Sequence, residues 1–244
     1  MLEVTQLTKT YRGGQAPAVA DVSFKIGSGE LLSLVGESGS GKTTLLRMIA
    51  GLEVPDGGTI QAGQRTFVGQ ERFVPPEHRR AGLVFQGGVL FPHMTVAKNL
   101  AYAIGSVSKR QRLDSIQEHL ELVQMERKER CYPHELSGGE RQRIALVRTL
   151  IAKPDLILLD EPYSNLDVAL TADLREQVKS ILVAKRMTGI LVTHDPSDAR
   201  HFADRIAIMR HGNLIQLGKV KDVVDHPCDA YCSLLIRGHQ TDQG

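Results

Sequence analysis

The stretch that most constrains this chain is "GESGSGKT", residues 36–43. It follows "LLSLV" (31–35), a continuous apolar run typical of a strand buried on both faces. It runs into "KTTLLRMIA" (42–50), which has helical character and ends at a C-cap glycine, Gly51. Strand, glycine-rich loop and helix together make a phosphate cradle. The glycines let successive backbone N–H groups converge on an anion, and the helix that starts there adds its positive end. In the spacing G-x4-G-K-T, Lys42 reaches the β- and γ-phosphates of a nucleotide and the Thr43 hydroxyl ligates Mg²⁺. Gly36, Glu37, Ser38, Gly39, Ser40, Gly41, Lys42, Thr43 and Thr44 are therefore the first candidate binding residues.

The rest of the chain is organised around that loop. "LEVTQLTKTY" and "DVSFKI" alternate and predict strands, and "GTIQAG" and "RTFVG" add short β pieces separated by Pro and Gly. From about residue 90 to 153 the pattern is helical. "RLDSIQEHLELVQ" puts Leu113, Ile116, Leu120 and Val123 on one stripe, and "ERQRIALVRTLIA" does the same with Ile144, Val147 and Ile151 before Pro154. Beyond Pro154, "DLILLD" and "GILVTHD" predict buried strands on either side of a helix over 170–186, with Leu170, Leu174, Val178 and Ile181 inward. "RIAIMRHG" and "LIQLG" finish the strands. Strand–helix alternation on both sides of a helical block predicts an α/β domain with an inserted helical subdomain.

Phosphoryl transfer needs a carboxylate near a metal and a group that orients water. "LILLDEP" (156–162) supplies both at a strand end: Asp160 to hold Mg²⁺ and Glu161 to face the attacking water as general base. "LVTHD" (191–195) ends the next buried strand with His194, on the side where parallel strands present their C-terminal ends to a ligand. "LSGGERQR" (136–143) then forms a second anion cradle. Ser137 is a good helix N-cap, Gly138 and Gly139 leave backbone N–H groups bare, and the following helix points its positive end at them. One ATP has one set of phosphates, so the simplest use of a second cradle is the nucleotide of another copy.

With these motifs in hand, the sequence resembles the ATP-binding subunit of an ABC transporter over nearly all of residues 1–218. The family's elements occur in order: an aromatic A-loop residue (Tyr11), the P-loop, a Q-loop (Gln86 in "LVFQGG"), the signature "LSGGE" (136–140), the "LILLDEP" strand, a D-loop "SNLD" (164–167) and the switch His194. The resemblance implies a P-loop NTPase core with an N-terminal antiparallel β subdomain and an α-helical subdomain inserted at about 90–153. All of this lies within one nucleotide-binding domain over 1–244 that ends in a short tail, 219–244. It implies that Tyr11 stacks on adenine, that Gln86 contacts Mg²⁺ and water, and that Thr43 and Asp160 complete the metal site. It further implies that Ser137, Gly138, Gly139 and Glu140 bind a partner's ATP, with Ser137 and Gly139 on its γ-phosphate, and that Asp167 couples the two sites. The implied partners are a second copy, closing head-to-tail on two ATPs, integral membrane permease subunits and, indirectly, a solute-binding protein. The implied place is peripheral, on the cytoplasmic face of the inner or plasma membrane.

"FPHMTV" after the Q-loop resembles the importer branch serving ferric iron, polyamines, sulfate and some sugars, and "VPPEHRR" leans towards ferric iron. An exporter or lipid-extracting ATPase shares the chemistry, but "FPHMTV" argues against it. Soluble ABC ATPases carry two such domains or a long coiled-coil insertion, and a non-hydrolysing module would need neither Glu161 nor His194. Gly87 and Gly88 stand where that branch usually carries an acidic or polar residue and an aromatic, which predicts a looser coupling loop. The sequence ends without the C-terminal regulatory domain of many relatives, so regulation through one is not expected.

Composition excludes other classes. A net charge of +2 gives no basic prior for nucleic acid, and "SKRQR" (108–112) and "RKER" (127–130) read as solvated helix faces. No apolar run approaches the ~18 residues of a membrane span, so membrane contact must go through a partner. Cys131, Cys228 and Cys232, an odd set without metal-like pairing, read as structural thiols in a reducing compartment.

Overall fold

The computed structural model describes residues 1–163 and 168–237, with the backbone alone at 168–171, 173 and 237. The "SNLD" stretch, with Asp167, lies outside the described residues, as does the side chain of Leu170.

Alternation along the N-terminal strands gives them one apolar face. β1 (Leu2–Lys9) and β2 (Val19–Ile26) pair antiparallel, burying Leu2, Val4 and Leu7 against Val22, Phe24 and Ile26. The period slips between Val4 and Leu7, where Gln6 takes a left-handed φ of 50° and a bulge turns Leu7 inward. β3 (Leu31–Val35) is buried at every residue, including Ser33, whose hydroxyl donates to Ala199 O at 3.2 Å, and is followed by α1 (Lys42–Ala50). β4 (Gly57–Ala62), β5 (Arg65–Gly69) and β6 (Arg72–Phe73) complete an antiparallel sheet of order β2-β1-β4-β5-β6.

Next come β7 (Ala81–Val84), α2 (Val96–Ala103), α3 (Lys109–Leu122) and α4 (Gly138–Ile151). Thr95 caps α2, while Ser108 with Gln111 and Ser137 with Glu140 form capping boxes on α3 and α4. β8 (Leu156–Asp160), α5 (Val168–Ala184), β9 (Thr188–Thr193), α6 (Pro196–Phe202) and β10 (Arg205–Arg210) follow. The described chain closes with β11 (Asn213–Lys219), α7 (Val220–Asp225) and α8 (Ala230–Arg237). The second sheet has the order β11-β10-β3-β9-β8-β7, in which β11 alone is antiparallel to its neighbour. Core side chains of β1, β2, β4 and β5 meet α1 and one face of this sheet, and α2, α3, α4 and α5 cover the other. Val223, Cys232 and Ile236 of α7 and α8 pack on Val35, Ile206 and Ile208.

Two sequence expectations fail locally. Leu113 is 52% exposed, because the first turn of α3 buries no residue and its inward face begins at Ile116. The 127–130 cluster lies not on an α-helix but at a single 3-10 turn (Glu126–Lys128), from which Lys128 pairs with Glu140 at 2.9 Å.

One charged side chain is built into the frame. Arg79 is 1% exposed and donates Nε to Val74 O (2.6 Å) and Nη1 to Met48 O (2.7 Å) and Ile49 O (2.9 Å). Two of these carbonyls belong to the last turn of α1, so the guanidinium supplies donors to acceptors at the end where the helix's own N–H groups run out. Its plane lies over Phe67 and Phe73, 5.1 and 5.0 Å from the ring centroids. Burial pushes its pKa down to about 10, which leaves it charged at neutral pH.

Candidate active site

β3, β7, β8 and β9 run parallel, so their C-terminal ends share one edge of the sheet. The segments leaving that edge line a cleft of about 670 Å³ formed by Ala18, Ser38 to Thr44, Gln86, Glu161 and His194. Gly41 caps α1 with a left-handed φ of 100°, and a Cβ there would run into the Ala18 carbonyl. It offers α1 no side-chain cap, so the first turn turns bare backbone donors towards the cleft. Lys42 is buried at the floor, its Nζ donating to Gly36 O and Glu37 O at 2.8 Å and to Ser40 Oγ at 3.2 Å. Burial lowers its pKa, against the opposing pull of Glu161, Asp160 and Glu37.

Across the cleft stand the carboxylates that end β8. Asp160 is 7% exposed, and its Oδ1 accepts from Thr43 Oγ1 at 3.0 Å. Burial raises its pKa, more than the Thr43 hydrogen bond and the charges of Arg47 and Lys42 lower it. A buried carboxylate beside a hydroxyl is a hard oxygen pair, the donor chemistry that suits Mg²⁺. Glu161 sits at a left-handed φ of 46°, pinned by its N–H to Val192 O at 2.9 Å. Its two carboxylate oxygens have separate partners: Gln86 Nε2 donates to Oε2 at 3.1 Å, and His194 Nδ1 lies 3.2 Å from Oε1. Three strand ends thus converge on one carboxylate.

Sequence reasoning missed two parts of this arrangement. Gln142, in α4 and 1% exposed, donates Nε2 to the Glu161 carbonyl at 3.0 Å. Gly88 takes a φ of 67° against α4, where a Cβ would stand 2.7 Å from Cα and N of Gln142. The glycine expected to loosen this loop instead allows its backbone to lie on the helix. Neither carries a local signal: Gln142 is one polar residue in a charged run, and Gly88 follows Gly87 in a pair that reads as an ordinary turn.

The other predicted residues lie elsewhere. Tyr11 is 42% exposed and does not line the cleft, although its hydroxyl lies 3.4 Å from Thr44 Oγ1 and donates to Glu53 Oε2 at 3.4 Å. Ser137, Gly138, Gly139 and Glu140 begin α4 and do not line the cleft either. Ser137 Oγ accepts from the Glu140 N–H at 3.2 Å, and Glu140 Oε2 accepts from the Ser137 N–H at 2.8 Å. That backbone donor, then Lys128, holds the Glu140 carboxyl below its ordinary range.

A family model described as ABC transporter matches residues 19–164. An "Fe(3+) ions import ATP-binding protein" of Pseudomonas fluorescens is 43% identical over 236 residues, 96% of this chain and 66% of the relative. A "Sulfate/thiosulfate import ATP-binding protein" of Caulobacter vibrioides is 44% identical, over 94% of this chain and 68% of its own. A "Putrescine transport ATP-binding protein" of Escherichia coli is 42% identical, with 97% and 62% covered. The chain thus spans about two thirds of the length of these curated relatives. Among solved structures, a dimeric ATP-binding cassette in a post-hydrolysis state with ADP and Pi matches at TM-score 0.81 and 31% identity, covering 90% of this chain and 99% of that one. Among the described residues no helix is long and apolar enough to cross a membrane.

Proposed function

This chain belongs to the ABC transporter family, and on that premise we propose that it is the ATP-hydrolysing subunit of an importer. The observation that carries the reading is the meeting of Gln86, Glu161 and His194 across the cleft from the 36–43 loop. The loop amides, Lys42, Thr43 and Thr44 bind the phosphates of ATP, and Tyr11 stacks on its base. Thr43, Asp160 and Gln86 hold Mg²⁺; when bound it neutralises charge developing on the β- and γ-phosphate oxygens. Glu161 takes a proton from the attacking water as its oxygen bonds to the γ-phosphorus. The bond from that phosphorus to the bridging oxygen breaks, and ADP leaves. Gln86 and His194 hold the two oxygens of the Glu161 carboxylate so that it faces the water.

Ser137, Gly138, Gly139 and Glu140 lie away from their own chain's cleft, which supports their serving a second copy head-to-tail, with Asp167 coupling the sites. The helical subdomain at about 90–153 then faces the permease subunits, within a single domain over 1–244 with its tail at 219–244. ATP closes the pair and hydrolysis reopens it, driving permeases on the cytoplasmic face of the membrane, with a solute-binding protein delivering cargo to them. Ferric iron is the cargo we favour, from "VPPEHRR" and from relatives named for that ion.

The test is Glu161→Gln. Turnover should fall by at least about 10²-fold while Mg·ATP holds the protein as a dimer. A variant that hydrolyses at the parent rate would remove Glu161 from the role of base. Affinity capture of the same variant from solubilised membranes should bring down a polytopic membrane protein; ribosomes or DNA-processing proteins would leave the ATPase and remove the transport.

A further inference from the structure

Two of the three cysteines meet at the start of α8. Cys228 is exposed and Cys232 is fully buried, and their sulfurs are 3.3 Å apart. Asp229 caps the helix between them, its Oδ1 accepting the Cys232 N–H at 2.7 Å. Among the described residues these three alone bring Cys, His, Asp or Glu ligand atoms together in such a group, all within 4.8 Å of one another. Cysteine spacing had suggested plain structural thiols, because it could not count the carboxylate between them.

The approach to Cys228 is fixed by backbone contacts as well. Gln216, on β11, accepts from the Cys228 N–H at 3.0 Å and donates to His226 O at 2.9 Å. We propose that Cys228, Asp229 and Cys232 form a binding site for a thiophilic divalent cation of the zinc class, with water completing the coordination. Two thiolates and a carboxylate are a soft, anionic donor set that selects such an ion over Mg²⁺. Metal–sulfur bonds of about 2.3 Å at a tetrahedral centre put two sulfurs roughly 3.8 Å apart, so a separation of this size needs only a small opening. Binding displaces one proton from each thiol to solvent and leaves the carboxylate ionised.

The residue before Cys232 ties the site to the cleft. Tyr231 Oη accepts from the Glu37 N–H at 3.3 Å and donates to Met209 O at 3.3 Å, while the Arg210 guanidinium lies 4.5 Å from its ring centroid. Glu37 belongs to the 36–43 loop, so ordering the start of α8 fixes the phenol that holds that loop. The cation therefore regulates nucleotide affinity. This second half rests on the nucleotide reading of the loop; the cation site itself does not.

The reduced, metal-free full chain is titrated with Co²⁺ as a spectroscopic stand-in. One equivalent should produce a thiolate-to-cobalt charge-transfer band that Zn²⁺ displaces. Cys228→Ser and Cys232→Ser should each abolish it and Cys131→Ser should keep it; Cys228→Ser, at an exposed position, remains informative if the buried Cys232 does not tolerate serine. Absence of the band, its survival in both variants, or recovery of only a Cys228–Cys232 disulfide would overturn the site. One equivalent of Zn²⁺ should also change the affinity for a fluorescent ATP analogue about 5-fold or more, and Tyr231→Phe should remove that change while keeping the cobalt band. A band with no effect on a protein that binds the analogue would overturn the coupling alone, and failure to bind the analogue at all would count against the nucleotide reading instead.

Discussion

Replacing Arg79 by methionine keeps most of the buried stem and removes every donor. Three carbonyls then lose a charged partner: Val74 O at 2.6 Å, Met48 O at 2.7 Å and Ile49 O at 2.9 Å. Hydrogen bonds to charged groups contribute about 1.5–3 kcal/mol each, which gives a gross loss of roughly 5–9 kcal/mol. Relief from burying a guanidinium offsets part of that, as does the buried Nη2, which finds no partner among the described residues. The net expectation is about 3–5 kcal/mol, the usual cost of breaking a buried charged network. Urea unfolding followed by far-UV circular dichroism reads this directly, since with slopes of about 1–3 kcal/mol per M the midpoint should fall by more than about 1 M. Arg79→Lys keeps the charge without the fork and should recover less than half of the loss. A methionine variant within about 1 kcal/mol of the parent would refute the reasoning, because water or relaxation would then satisfy the end of α1 equally well.

Other outcomes follow from single contacts. Gly88→Ala meets both a left-handed φ of 67° and the backbone of Gln142, so it should cost about 2–4 kcal/mol and slow ATP hydrolysis more than ATP binding; normal turnover would show that the loop need not touch α4. Ser137→Ala should lose a cap worth about 0.5–2 kcal/mol together with most hydrolysis, whereas Ser137→Asn should restore the stability and not the rate; full turnover in the alanine variant would mean that the second cradle is unused. Burial first, then Asp195, push the Asp198 carboxyl up from 3.8 to about 6, against Arg175, Thr193 and His194. Its folded pKa is raised, so the native state holds the extra proton; this contribution is present below about pH 4 and is lost as pH rises to about 6. Asp198→Asn should flatten that part of a stability–pH profile, and an unchanged slope would assign it to other groups.

What could be read from the sequence was what repeats or what carries a fixed spacing. β3, β8 and β9 are each dominated by Leu, Ile and Val without alternation, so both their existence and their double burial were legible. The 36–43 loop announced the cleft because glycine spacing is itself the geometry. β7 escaped notice because it has four residues, one of them Gly82, whose absent side chain makes room for Thr149 and Pro154. α6 escaped because seven residues capped by Asp195 and opening with Pro196 look like a turn. Arg79, in "EHRR", looked like one charge among several, and nothing local signals that α1 needs its donors. Gln142 was hidden by its charged neighbours, because only tertiary placement shows that its face of α4 meets the end of β8.

The hydrogen bond from Gln142 to the Glu161 carbonyl has a consequence for timing. Within one chain it joins the helix begun by Ser137 to the backbone of Glu161, the residue that follows β8. In the proposed head-to-tail pair those two elements would attend different nucleotides. A subunit that releases its neighbour's phosphate would tug on its own base through that single amide. The two ATPs would then behave less like independent fuel cells than like the two pans of a balance, each event on one side resetting the other.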